Sequence, residues 1–369
     1  MDNYNENRSL LGFGLMRLPR KGIGIDIPET SRMIDLFMES GFTYFDTAFI
    51  YPGSEEAARK ALVERYPRES YTLATKLYAT FVPTEKLAKQ EFETSLRRTG
   101  AGYIDYYLLH SLNDGNYLKY EKFHLWDFVK DEKKEGKIRH YGFSFHGSPE
   151  VLEKILTGHP DAEFVQLQIN YADWESRTVR ARENYEVARK HGKKIVIMEP
   201  VKGGKLANPP EEIKRIFSSV NPDASYASWA LRFAASLDDV LSVLSGMSTE
   251  DQVRDNVSFM KNLIPLTEEE QRAIVRAQEI YSASREIQCT SCRYCCGGCP
   301  KDIQIPDIFA ARNLQLTMGQ KDKAKEKFAE AVKGHGSPAD CLECRKCERQ
   351  CPQGLKITDL LKECRENLE

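Results

Sequence analysis

The sequence predicts an α/β chain: a (β/α)8 TIM barrel with a small all-α domain behind it. Three observations carry that expectation. Between about residues 10 and 265, eight short apolar or β-branched runs alternate with amphipathic helical stretches. No G-x-G-x-x-G follows the first run, so the rival doubly wound sheet lacks its usual phosphate loop. Beyond residue 265 the strand signals cease, and all ten cysteines of the 369-residue chain fall after residue 288.

The eight expected strands are LGFGLMRL (about 10–17), FTYFDTA (42–48), YTLATKL (71–77), IDYYLLH (104–110), IRHYGFSF (138–145), FVQLQIN (164–170), KIVIMEP (194–200) and DVLSVLSG (239–246). Helical patterns separate them. TSRMIDLFMES places Met33, Leu36 and Phe37 on one face, and Gly41 stops it. PTEKLAKQEFETSLRRTG places Leu87, Phe92 and Leu96 likewise and ends at Gly100. PEVLEKILTGH and SRTVRARENYEVARKHG read the same way. Strands alternating with helices imply a parallel sheet with right-handed crossovers. Next, TEEEQRAIVRAQEIYSASREI reads as a helix opened by Thr267, with acids in its first turn. The domains are therefore expected at 1–284, the barrel, and 285–369, the helical tail. In the tail, one helical spacer (PDIFAARNLQLTMGQKDKAKEKFAEAVKG) separates two cysteine loops, and ITDLLKECRENLE closes it. A core that small usually needs a staple.

Composition narrows the function. With 53 basic and 55 acidic side chains the net charge is −2, which gives no reason to expect nucleic acid or an anionic membrane as partner. No apolar run approaches the ~20 residues that span a bilayer. MDNYNENRSL lacks a signal-peptide core, so the expected location is cytoplasmic. Disulfides are rare there, and clustered cysteines point to metal or redox chemistry.

The cysteine loops are specific. The first reads Cys289-x2-Cys292-x2-Cys295-x3-Cys299-Pro300, the second Cys341-x2-Cys344-x2-Cys347-x3-Cys351-Pro352. This spacing, found twice, is the bacterial signature for 4Fe–4S clusters, in which the fourth cysteine serves the neighbouring cluster. One cluster would take Cys289, Cys292, Cys295 and Cys351, the other Cys341, Cys344, Cys347 and Cys299. Zinc would leave surplus cysteines. Cys296 and Cys364 remain over, the second at core spacing. From about residue 285 onward the chain resembles the α-helical ferredoxin domains fused to many oxidoreductases. That likeness implies two 4Fe–4S clusters that pass single electrons.

In the barrel, Asp46, Lys76 and His110 stand at the ends of the second, third and fourth expected strands, with Tyr51 in the loop after the second. Catalytic groups of such barrels gather at those ends. Singly, each has a plain explanation: a cap, a snorkelling lysine, a satisfied core histidine. Together they suit proton transfer. A lysine paired with an aspartate favours the phenolate of a nearby tyrosine, and a histidine can orient a carbonyl oxygen.

These residues, in the setting DTAxxY followed by Gly53 and Glu55, resemble the tetrad of the aldo-keto reductases. GFSFH, VQLQIN, MEPVKGG and SGMSTEDQVRDN extend the likeness over about residues 10–265. Joined to the helical tail, it is similar to an iron–sulfur branch of that family. The resemblance implies carbonyl reduction or alcohol oxidation with NAD(P)H, Tyr51 being the proton donor. It implies Ser144 and Gln166 for the nicotinamide carboxamide, Met198 where a stacking aromatic is usual, and Gly246, Met247, Ser248, Gln252 and Asn256 for the adenosine half. Their expected neighbours are Pro200 to Gly204 and Gly14, Leu15 and Met16. Phe145 departs from the usual asparagine. Gly246 and Gln252 stand where a Lys and an Arg typically grip the 2′-phosphate, which weakens NADPH against NADH.

A hydride-moving tetrad and one-electron clusters do not exchange directly. A flavin would bridge them, and a ferredoxin or another redox protein would be the partner. The alternatives are an electron-transfer subunit with a non-catalytic barrel, or an enzyme whose clusters only staple the tail. Tyr78, His124–Trp126 and Trp174 are expected near the substrate, and Lys202 and Lys205 either near a phosphate or solvated.

Overall fold

The computed structural model describes residues 10–369; the reading of the N-terminal stretch as lacking a signal core falls almost wholly outside them. Eight strands form one closed, all-parallel barrel in chain order: β1 (Leu11–Gly14), β2 (Tyr44–Asp46), β3 (Thr72–Leu77), β4 (Ile104–Leu112), β5 (Ile138–Phe145), β6 (Phe164–Gln168), β7 (Lys194–Met198) and β8 (Val240–Ser245). Each coincides with one expected run. β1 is shorter than expected, because the chain turns into a 3-10 helix at Leu15–Arg17. β4 overshoots its expected end, with an irregular register between Leu109 and Leu112 and Ser111 at φ 60.

The barrel interior is filled by Tyr44, Ala74, Tyr106, Leu108, Phe164, Val196 and Leu244, so it is a packed core and not a pore. Gly142 belongs to this packing: a Cβ there would stand 2.2 Å from the Phe164 carbonyl oxygen on the paired strand. Outside, amphipathic helices cover the strands, as Ile27–Glu39 does with buried Met33, Ile34 and Phe37.

Helix Glu268–Ala283 packs with helices Glu211–Val220 and Tyr226–Ala235 around Trp229, which stacks on Phe217 at 4.1 Å. Thr267 and Glu270 form a capping box at its start. Glu270 also accepts two hydrogen bonds of 2.7 Å from Arg232.

The tail is helical with its own core: Ile305–Met318, Lys321–Val332, Lys346–Arg349 and Ile357–Leu368 pack around Ile308, Phe309, Phe328, Leu361 and fully buried Cys364. The expected single spacer is thus two helices. Gly319 separates them at φ 63, a C-cap conformation that ends the first.

Tail and barrel are locked together at the barrel's C-terminal mouth. Gln168 and Gln353 exchange reciprocal amide hydrogen bonds of 3.2 and 3.1 Å, both side chains buried. Arg17 donates to the Thr290 carbonyl at 2.9 Å, and Lys205 pairs with Glu286 at 2.6 Å. Gly203 lies so close to the tail that a Cβ would be 2.6 Å from the Thr290 oxygen. No helix among the described residues is long and apolar enough to cross a membrane.

Candidate active site

The ends of β2, β3 and β4 bring the four tetrad candidates together. The register sets Asp46 beside Ala74 and Lys76 beside Leu108. Lys76 is buried; its Nζ donates to Asp46 Oδ1 at 2.5 Å and to the Thr47 carbonyl at 2.7 Å. The ammonium also lies 5.3 Å from the centroid of the Tyr51 ring. Tyr51 and His110 meet edge to face at 5.8 Å.

The electrostatics of the protein alone differ from the simple expectation. Burial pushes the Tyr51 phenol up, and Lys76 opposes this without reversing it. Asp46 is likewise raised by burial against the pull of Lys76. His110 is held well below its ordinary value by burial and by Lys76, so its imidazole is neutral at pH 7. Asp46 Oδ2 and His110 Nδ1 are buried without hydrogen-bond partners among the described residues.

All four groups line one cavity of about 650 Å3. Ser144, Gln166, Met198, Pro200, Gly246, Met247, Ser248, Gln252 and Asn256 line it as well, as do Gly14, Met16, Gly203 and Gly204. Ser144 and Gln166 are register partners across β5 and β6. Ser144 Oγ accepts from the Ser111 amide at 2.7 Å, while Gln166 Oε1 is buried with no partner among the described residues. Gln252 Oε1 accepts from the Ser248 amide at 2.7 Å, and Asn256 donates to Ser245 at 2.7 Å. Phe145 is buried against Phe143 and does not line the cavity.

Other expectations are corrected. Trp126 is buried and stacks on His159 at 4.0 Å, Trp174 packs on Tyr185 and Phe233, and exposed His124 precedes a helix; none of the three lines the cavity. Of the aromatic candidates, Tyr78 reaches the site, 5.5 Å from His110. Leu15 is packed in the core. Lys202 is neither solvated nor free for a phosphate, because it is buried and paired with Asp173. Lys205 is engaged by Glu286.

The structure also adds residues that sequence reasoning missed. His146 lines the cavity, with burial holding it down to about 4. Glu199 does too, raised by burial against the pull of Arg17, 3.8 Å away. Asp251 and Asp255 line it beside Gln252. From the tail come Cys292, Tyr294 and Pro352. The position of Tyr294 between two cysteines was the available signal, but nothing local says that this loop faces the barrel mouth.

All ten cysteines are free. Eight of them line two small hollows. Cys289, Cys292, Cys295 and Cys351 share one, and Cys341, Cys344, Cys347 and Cys299 share the other. Each loop gives three cysteines to one hollow and its fourth to the other. Cys296 lines neither. No three or more His, Cys, Asp or Glu among the described residues converge as a site for a metal ion. Cys292 and Pro352 belong both to the first hollow and to the cavity that holds Tyr51.

Comparison with known proteins agrees with this geometry. The Aldo/keto reductase family matches residues 10–279. The chain is 27% identical over 313 residues to the uncharacterized oxidoreductase YqkF of Bacillus subtilis, covering 75% of this chain and 95% of that one. It is 28% identical, with a TM-score of 0.59, to the holo form of aldo-keto reductase AKR11C1 from Bacillus halodurans, over 72% of this chain and 91% of that one. An aldo/keto reductase from Klebsiella pneumoniae solved with NADP and acetate shares the fold at 20% identity, with a TM-score of 0.61, over 73% and 91%. With its closed eight-stranded barrel, the chain belongs to the aldo/keto reductase family and is an oxidoreductase of that type.

Proposed function

We propose that this enzyme reduces a carbonyl, or oxidises the corresponding alcohol, at Tyr51, and that two 4Fe–4S clusters connect the site to a one-electron partner through a flavin, which exchanges hydride on one side and single electrons on the other. The observation that carries the first half is the convergence of Asp46, Tyr51, Lys76 and His110 in one cavity. In the reducing direction a nicotinamide cofactor, NADH or NADPH, would be held beside Ser144 and Gln166 and would supply hydride for the carbonyl carbon. Tyr51 gives its proton to the carbonyl oxygen, the O–H bond of the phenol breaking as the alcohol O–H forms. Lys76, fixed by Asp46, lies near enough to stabilise the phenolate left behind. His110 is neutral and offers its ring as a hydrogen-bonding group that orients the substrate oxygen. Gln166 Oε1, buried and unpartnered, suits the amide N–H of a nicotinamide carboxamide, with Ser144 beside it.

For the second half, the hollows supply the support. Their two sets of four thiols are those that the cysteine spacing assigns to two clusters. When bound, such clusters carry single electrons. The first set borders the catalytic cavity through Cys292, whereas Cys344 of the second is exposed. That order supports a reading in which the second set faces a partner such as a ferredoxin. An enzyme whose clusters only staple the tail would not require the shared wall.

Tyr51→Phe tests the chemistry. In anaerobically purified protein it is expected to abolish carbonyl reduction and leave the visible cluster absorbance unchanged. Turnover at the wild-type rate in that variant refutes the assignment.

A further inference from the structure

Tyr294 sits in the first cysteine loop, yet its hydroxyl points at the tetrad. It lies 3.5 Å from the Tyr51 hydroxyl, the outer limit of a hydrogen bond. Its ring meets His110 edge on at 6.3 Å. With Tyr51 at 5.8 Å and Tyr78 at 5.5 Å, the imidazole is ringed by three tyrosines, one of them from the tail.

The placement is built. On one side of Tyr294, Arg293 stands at φ 63 and Ser291 at φ 55, conformations that side chains rarely adopt unsupported. Arg293 donates to both oxygens of Asp307, at 2.8 and 2.9 Å, and to Gln304 at 3.1 Å. Farther back, Arg17 of the barrel holds the Thr290 carbonyl. The loop carrying Tyr294 is therefore tied to the tail helix and to the barrel.

We infer that Tyr294 is a catalytic residue supplied by the tail, a second hydroxyl donor to the substrate oxygen beside Tyr51. The inference rests on the proposed role of Tyr51. To receive the Tyr51 proton, a carbonyl oxygen must come within about 2.6–3.2 Å of that hydroxyl. Two hydroxyls 3.5 Å apart share an acceptor lying about 2.8 Å from each, a triangle that an oxygen closes without either tyrosine moving. Tyr294 loses no proton in the step. It donates a hydrogen bond that strengthens as negative charge gathers on the oxygen, and Tyr51 alone transfers its proton. The arrangement gives the cysteine loop a part in the chemistry independent of electron transfer: folding of the loop completes the oxygen site.

The test uses the full-length protein with its clusters. Tyr294→Phe keeps the ring and removes the donor. It is expected to lower kcat for carbonyl reduction at least about tenfold with KM nearly unchanged, the mark of an interaction made in the transition state. Acetate, whose oxygens carry the charge that the donor favours, is expected to bind the nucleotide-loaded variant about tenfold more weakly in a calorimetric titration. Iron content and nucleotide affinity should stay at wild-type values. An unchanged kcat, or undiminished acetate binding, overturns the inference. So does a fall in kcat accompanied by loss of iron or nucleotide affinity, which identifies a merely structural tyrosine. Tyr51→Phe separates the two levels: if it abolishes turnover and Tyr294→Phe does not lower it, only this inference fails.

Discussion

Lys76 has a carboxylate partner at 2.5 Å and a phenol ring within 5.3 Å, so its charge is fixed in place instead of being shared with water. The phenol is nevertheless raised in the protein alone, because burial outweighs the lysine. Neither proposed phosphate lysine is free. Around Gln252 the cavity wall presents Asp251 and Asp255, and Asp255 accepts from Ser225 at 2.8 Å. If the adenosine half binds there as proposed, these carboxylates would repel a 2′-phosphate and suit a ribose hydroxyl. NADH is therefore expected to exceed NADPH in kcat/KM by about tenfold, and Gln252→Arg to shift the ratio toward NADPH by a similar factor. Steady-state kinetics with both nucleotides measure this; equal use of the two by the natural protein refutes it.

Among the elements, the strands were the most legible. Eight apolar runs gave eight barrel strands because parallel strands, buried on both faces, carry no alternating pattern to misread. DTAFIY and ATKL sit at strand ends, so the meeting of Asp46, Tyr51 and Lys76 in one cavity was legible with them. Trp126 and Trp174 were misplaced because an aromatic in the segment after a strand packs into the core as readily as it lines a pocket, Trp126 against Phe143 of β5 and Trp174 against Phe233. The split of the tail helix at Gly319 had its signal in the glycine itself. Helix Glu268–Ala283 is anchored by the Glu270–Arg232 pair. Burial pushes the Glu270 carboxyl up, but hydrogen bonds from Arg232, Asn221 and the Thr267 amide more than offset it and hold it at about 2. Its contribution is complete above its ordinary value of 4.5 and is lost as pH falls toward 2. Glu270→Gln leaves a buried guanidinium without its charge partner and is expected to cost about 3 kcal/mol in denaturant unfolding at pH 7. That difference should shrink below pH 4, and one that does not shrink refutes the linkage.

At the scale of the whole molecule, the relation between barrel and tail could not be read from either. Cysteine spacing assigned the two sets of four, but the face that meets the barrel mouth depends on contacts far apart in the chain, Gln168 with Gln353 and Gly203 with Thr290. Crossing of the fourth cysteines makes the sets separable by mutation. On the proposed two-cluster reading, Cys351→Ala should deplete the cluster of the hollow that borders the Tyr51 cavity and Cys299→Ala the other, each removing roughly half the iron. Only the first should alter the response of the EPR signal to added nucleotide. Full iron content in both variants refutes the assigned sets.

The crossing also imposes an order in time on the making of the protein. During synthesis the barrel strands and their helices are complete long before Cys351 leaves the ribosome. Neither hollow has all four of its thiols until the second loop has been made, since the inner one waits for Cys351 and the outer one for Cys341, Cys344 and Cys347. Any cluster built in these hollows would therefore be completed only after the second cysteine loop has been made.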